Sequence, residues 1–113
     1  MKKYLFLCAM GINRSPTASR VAKEIAQQNG LELEADYGGY WPIKKNNTPK
    51  EHFDNYDLII VMEDYMEKGL KELGIPKSRI RNLMIPDEYY RDDPILIKIL
   101  KNSLQLYVRE SPL

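Results

Sequence analysis

Cys8, Arg14 and Ser15 are the residues whose types and spacing could do chemistry together. In the stretch Cys8-Ala9-Met10-Gly11-Ile12-Asn13-Arg14-Ser15, five residues separate the thiol from the guanidinium, and a hydroxyl follows at once. A thiolate that handles a phosphoryl group needs this arrangement. Backbone N–H groups of Ala9, Met10, Gly11, Ile12, Asn13 and Arg14 can turn inward around the phosphoryl oxygens, and a helix opening beyond the loop adds positive potential. Arg14 can offer a planar fork to two of those oxygens. The same field favours the thiolate over the thiol, and the thiolate is the nucleophile. Ser15 can hydrogen-bond the sulfur and stabilise it as a leaving group. Singly, these residues are ordinary: a small buried hydrophobe, a surface charge, a turn glycine. Together at one junction they make a candidate oxyanion site.

A thiolate attacking a phosphate ester also needs an acid for the departing oxygen, and a base for the water that later hydrolyses the phosphocysteine. The segment Ile85-Pro86-Asp87-Glu88-Tyr89-Tyr90-Arg91-Asp92-Asp93-Pro94 offers four acids. Asp87, beside a rigid proline and close to two aromatics, is the first candidate. Asp92 is the alternative, and Asp93 reads as the cap of a helix opening at Pro94. Tyr89 and Tyr90 either wall a substrate cleft or pack the loop down. Trp41 is either a rim residue or a core plug. His52 reads as a surface residue, and Lys44 and Lys45 as solvated charges. With no His/Cys cluster, neither a metal nor another cofactor is expected.

Lys2–Cys8, which leads into the thiol, reads as a strand apolar enough to be buried on both faces of a parallel sheet. A helix is expected from about Pro16 to Asn29, with Ser15 as cap and Ala18, Val21, Ala22, Ile25 and Ala26 as its inward stripe. Leu31–Tyr37 alternates like a half-exposed edge strand. Gly38 to Asn47 reads as a loop, and Thr48-Pro49-Lys50-Glu51 as a capping box before a short helix. Tyr56–Met62 is a third strand. Glu63 and Asp64 fall in the first turn of the next helix, whose stripe is Met62, Met66, Leu70 and Leu73, and Gly74 stops it. Ser78–Ile85 is a fourth strand and Pro86–Asp93 a polar loop. A last helix follows, with Ile95, Ile99, Leu100, Leu104 and Tyr107 in core-like spacing.

This alternation predicts an α/β three-layer sandwich with a four-stranded parallel sheet in a single domain spanning 1–113. Ligands bind such a sheet beyond the carboxyl ends of its strands, where Cys8, the Gly38–Asn47 loop, Met62-Glu63 and Pro86–Asp93 all fall. The composition, 43% hydrophobic and 29% charged with a formal net charge of +1, reads as soluble and globular and gives no strong pull toward nucleic acid or a membrane surface. No stretch approaches the ~20 apolar residues of a membrane span. One cysteine in the chain cannot form an internal disulfide or relay, which fits a reducing cytoplasm.

Cys8-X5-Arg14-Ser15-Pro16-Thr17-Ala18 resembles the phosphate loop of the low-molecular-weight protein tyrosine phosphatases. Ile85-Pro86-Asp87-Glu88-Tyr89-Tyr90 is similar to that family's acid loop, and Tyr56-Asp57-Leu58-Ile59-Ile60-Val61-Met62 to its third strand. The resemblance is strongest to a compact prokaryotic branch with Ile-Pro-Asp-Glu in the acid loop. It implies metal-free hydrolysis through a phosphocysteine, with a phosphotyrosine protein or a small phosphate ester as substrate. Carried over, Cys8 is the nucleophile, Arg14 the phosphate clamp, Ser15 the thiolate partner and Asp87 the acid and then base. The family usually has Gly then Asn two and three residues after the nucleophile, where Met10 and Gly11 stand here. Gly11 can take the left-handed conformation such a loop needs. The family's common second loop cysteine is replaced by Asn13, and the usual Pro after the acid by Glu88. A cysteine phosphocarrier domain and a non-catalytic phosphate-binding module are the rival readings.

Overall fold

Strand β1 (Lys2–Cys8) runs through the middle of the molecule, buried from Tyr4 to Cys8. The computed structural model describes residues 1–109. β1 is flanked by β2 (Leu33–Gly39) and β3 (Leu58–Val61), and β4 (Ile80–Asn82) lies outside β3. The strand order is β2-β1-β3-β4 with every pairing parallel. All four residues of β3 are buried, like the centre of β1. Strands without an exposed face must be covered on both sides. The sheet is therefore the middle layer of the expected sandwich.

The covering helices are α1 (Arg14–Gln28), α2 (Tyr40–Lys45), α3 (Asp64–Glu72) and α4 (Pro94–Arg109). α1 buries Ala18, Val21, Ala22, Ile25 and Ala26, the stripe read from the sequence, and packs along α4. α4 buries Leu96, Leu100, Leu104 and Val108. Ile95, expected in its core stripe, is 61% exposed, and Ile99 and Tyr107 are only partly buried. The stripe is set by α1 beneath it, one residue further round than hydropathy alone suggests. α3 buries Met66 and Leu70, while Leu73 is 36% exposed at the helix end.

Several boundaries differ from the sequence reading. α1 starts at Arg14, so Ser15 lies inside the helix and caps nothing. β2 continues through Gly38 and Gly39, which pair with Leu7 and Cys8. The stretch 40–45, expected as loop, is helix: Pro42 sits in the first turn, where its missing N–H costs no hydrogen bond. Thr48 forms no capping box, and only a 3-10 turn over Lys50–Phe53 follows Pro49. Regular β4 pairing covers three residues, yet Leu83 and Ile85 still donate their N–H groups to Val61 O and Met62 O, both at 2.9 Å. Met84 between them has φ +54° and is 70% exposed, which breaks the ladder.

Candidate active site

At the carboxyl end of β1 the chain turns through residues 9–13 into α1. Gly11 makes this turn with φ +76°, and a Cβ there would lie 2.7 Å from Gly38 C and 2.7 Å from Gly39 N. A Cβ on Gly39 would in turn lie 2.6 Å from the Met10 carbonyl. The loop thus rests backbone-to-backbone on the end of β2. The Trp41 N–H adds a bond to Ala9 O at 3.1 Å. The glycine pair read as a loop marker is the platform under the loop.

Cys8 is 3% exposed and its Sγ donates to Ser15 Oγ at 3.2 Å. The Ser15 hydroxyl donates in turn to Gly38 O at 3.1 Å. Arg14 is the largest fully buried side chain, 1% exposed. Its Nη1 donates to Glu63 Oε2 at 3.0 Å and to Ile85 O at 2.6 Å. Nε and Nη2 are buried and meet no acceptor among the described residues; Asp87 Oδ1 is 3.7 Å from Nε, beyond hydrogen-bond distance. Buried guanidinium nitrogens without acceptors are costly unless something else supplies the acceptor. Nε and Nη2 form one edge of the planar group, the edge that fits two oxygens of a tetrahedral anion.

Cys8, Ala9, Met10, Ile12, Asn13, Arg14 and Asp87 line one concavity of about 100 Å³. It therefore gathers the loop and the expected acid in one place. At Met10 it borders a broader groove along Trp41, Pro42, Lys44 and Lys45. At Asn13 and Asp87 it borders a hollow lined by Glu88, Tyr89 and Tyr90. Trp41 is 49% exposed, so it is no core plug, and it stacks on Tyr65 with ring centroids 5.5 Å apart. Tyr89 is partly buried against the core, whereas Tyr90 is 81% exposed. Lys44, Lys45 and His52 are exposed.

The acids of the loop separate by their partners. Asp92 Oδ1 is held by Arg20 at 2.7 Å, and Asp93 Oδ1 caps α4 by accepting the Ile95 N–H at 2.8 Å. Asp87 is 60% exposed on its side chain and accepts no hydrogen bond among the described residues. It is the acid of the loop that lines the concavity with Cys8. Burial first, and then the Glu63 carboxylate, raise the Tyr65 phenol above its ordinary value near 10.0.

Glu63 and Tyr65 carry weight that the sequence reading did not assign them. Glu63 was legible as an acid at a helix start on the same sheet edge as Cys8, but its pairing with Arg14 was not. Among the described residues no group of three His, Cys, Asp or Glu side chains could hold a metal ion. No described helix is long and apolar enough to cross a membrane.

No protein-family model matches the sequence, and no curated protein matches it significantly. Solved structures do. A protein tyrosine phosphatase from Entamoeba histolytica, crystallised with Hepes in its active site, superposes with a TM-score of 0.75 at 22% identity, each chain covered in full. A low-molecular-weight phosphotyrosine phosphatase from Vibrio cholerae gives 0.74 at 15% identity, again over 100% of both chains. That from Streptococcus pyogenes gives 0.69 at 22% identity, covering 100% of this chain and 95% of the other. The chain has the fold of the low-molecular-weight protein tyrosine phosphatases, along its whole described length.

Proposed function

We propose that the chain is a cysteine-dependent phosphatase that hydrolyses phosphate monoesters, phosphotyrosine above all, through a phosphocysteine. The observation that carries this reading is Arg14. Its buried Nε–Nη2 edge meets no acceptor among the described residues, and it shares a concavity with one thiol and one carboxyl group.

The residues divide the reaction as follows. Arg14 and the N–H groups of residues 9–14 hold the phosphoryl oxygens. The Cys8 thiolate attacks phosphorus, an S–P bond forms and the P–O ester bond breaks. Asp87, protonated, gives its proton to the departing oxygen. The Asp87 carboxylate then takes a proton from water, whose oxygen attacks phosphorus. The S–P bond breaks, inorganic phosphate leaves and the thiolate returns. In the thiol state Ser15 accepts from Cys8. When sulfur is ionised the hydroxyl must swing from Gly38 O to the sulfur, reversing the bond. Trp41, Tyr65 and Tyr89 give the rim aromatic surface that suits an aryl ester.

Hydrolysis of para-nitrophenyl phosphate in EDTA, by wild type and Cys8→Ser, tests this. Vanadate-sensitive turnover that vanishes in Cys8→Ser is expected. No turnover by freshly reduced wild type would overturn the reading in favour of a phosphocarrier or a phosphate-binding module.

A further inference from the structure

Asn13 occupies the N-cap position of α1, yet its side chain caps nothing. Asn is among the best N-cap residues, and a filled cap is worth about 1 kcal/mol. Here Asn13 Oδ1 accepts the Arg91 N–H at 3.1 Å instead, across a separation of 78 residues. The next N–H, that of Asp92, donates to Thr17 Oγ1 at 2.9 Å. The buried Thr17 hydroxyl is itself fixed, because it donates to Asn13 O at 2.9 Å. Asp92 has φ +61°, a conformation that an acidic residue tolerates better than most. Two successive N–H groups of the acid loop thus end on two side chains of the phosphate loop and its helix.

The rest of the acid loop is bound mainly to itself. Glu88 donates its N–H to Pro86 O at 2.9 Å and Asp93 to Tyr90 O at 3.1 Å. The Asp87 side chain has no hydrogen-bond acceptor role among the described residues that would fix it. Asp87 lies between the Ile85 bond to Met62 O and the attachments at Arg91 and Asp92. Arg14, 3.7 Å from Asp87 Oδ1 and bonded to Ile85 O, and the exposed Arg20–Asp92 pair are further contacts of this segment.

We propose that Asn13 and Thr17 are positioning residues that clasp the acid loop at Arg91 and Asp92, and so hold Asp87 in place for proton transfer. This rests on the phosphatase reading above. Asn13 then has two tasks. Its N–H faces the anion with the rest of the loop, and its side chain ties the acid to the same loop.

The test compares two esters. Phenol is a more basic leaving group than para-nitrophenol and needs the proton from Asp87 more. The ratio kcat/KM reports transfer to Cys8, the step in which Asp87 acts as acid. In Asn13→Ala and Thr17→Val, kcat/KM on phenyl phosphate is expected to fall about tenfold, a part of the 10²–10⁴ that a positioned acid contributes. The fall on para-nitrophenyl phosphate is expected to be several times smaller, with vanadate inhibition close to wild type. Thr17→Ser keeps the hydroxyl and is expected to recover most of the loss. Equal losses on both esters, or no loss on either, would overturn the clasp. So would a Thr17→Ser as impaired as Thr17→Val. Wild-type turnover tests the phosphatase reading, and the contrast between esters in the variants tests the clasp, so the two fail separately.

Discussion

Glu63 Oε2 lies 3.0 Å from Arg14 Nη1, so an acid at the end of β3 holds the guanidinium that follows the loop at the end of β1. Arg14 is 1% exposed and its partner's side chain 31%. Removing one member of a buried ion pair leaves the other charge uncompensated, which costs about 3–5 kcal/mol when both are fully buried. Glu63 is partly solvated, so Glu63→Ala is expected to lose about 2 kcal/mol, less than that range. A bound anion would supply the missing counter-charge. The deficit in urea unfolding is therefore expected to narrow in phosphate, and equal stability of the two proteins in chloride would contradict this pairing.

The acid loop offers a contrast between two aspartates. Asp87→Asn is expected to lower kcat about 10²- to 10⁴-fold, to remove the pH dependence due to the acid, and to leave phosphate inhibition in place. Asp92→Asn disturbs an exposed ion pair with Arg20, worth at most about 1 kcal/mol, and is expected to lose less than about tenfold. Steady-state kinetics on an aryl phosphate decides between them, and near wild-type rates in Asp87→Asn would refute its role.

Two glycines separate backbone strain from crowding. Gly11 and Gly30 have φ +76° and +66°, but a Cβ on Gly30 meets nothing within 4 Å, whereas one on Gly11 strikes backbone at 2.7 Å. Gly30→Ala is expected to cost only the left-handed conformation, about 1–2 kcal/mol, with activity kept. Gly11→Ala must also lift the loop off Gly38 and Gly39, and is expected to lose turnover. Thermal unfolding and kinetics on both variants check this, and an active Gly11→Ala would show that the loop can move off β2.

Tyr56 donates to Asp36 Oδ2 at 2.7 Å. Burial, then that hydrogen bond and the Asp36 charge, push its phenol from 10.0 up to about 12. The native state thus keeps a proton that the unfolded chain releases earlier. The resulting stabilisation is whole below pH about 10 and is lost as pH rises through about 12. Urea midpoints of wild type and Tyr56→Phe are expected to converge across that window. A constant difference from pH about 8 to about 12 would exclude this linkage.

The strand, loop and helix around Cys8 were legible because local signals agree there: an apolar run, a glycine able to turn left-handed, a proline in the first turn of a helix. Membership of the sheet edge was legible too, since parallel topology sends every strand end to one side. What stayed hidden depends on partners far along the chain. Nothing near Glu63 announces Arg14, and nothing near Asn13 announces Arg91. Trp41-Pro42 reads as a break because a proline can mark either the end of one element or the first turn of a helix, and Gly39 as cap with the bond from Trp41 to Ala9 places it in a first turn. In the sequence its rigid proline neighbour puts Asp87 ahead of Asp92, but the ion pair that occupies Asp92 comes from Arg20, 72 residues away, and nothing near Asp92 announces it.

Of the five positions between Cys8 and Arg14, shape restricts Gly11 and a hydrogen bond occupies Asn13, whereas the side chains of Met10 and Ile12 are 55% and 60% exposed. A loop that works through main-chain atoms makes few demands on the side chains it carries. Lineages can therefore drift at those positions, generation after generation, without losing the shape that receives an anion. A recognition signature drawn narrowly from the letters of such a loop would pass over descendants that still keep its geometry.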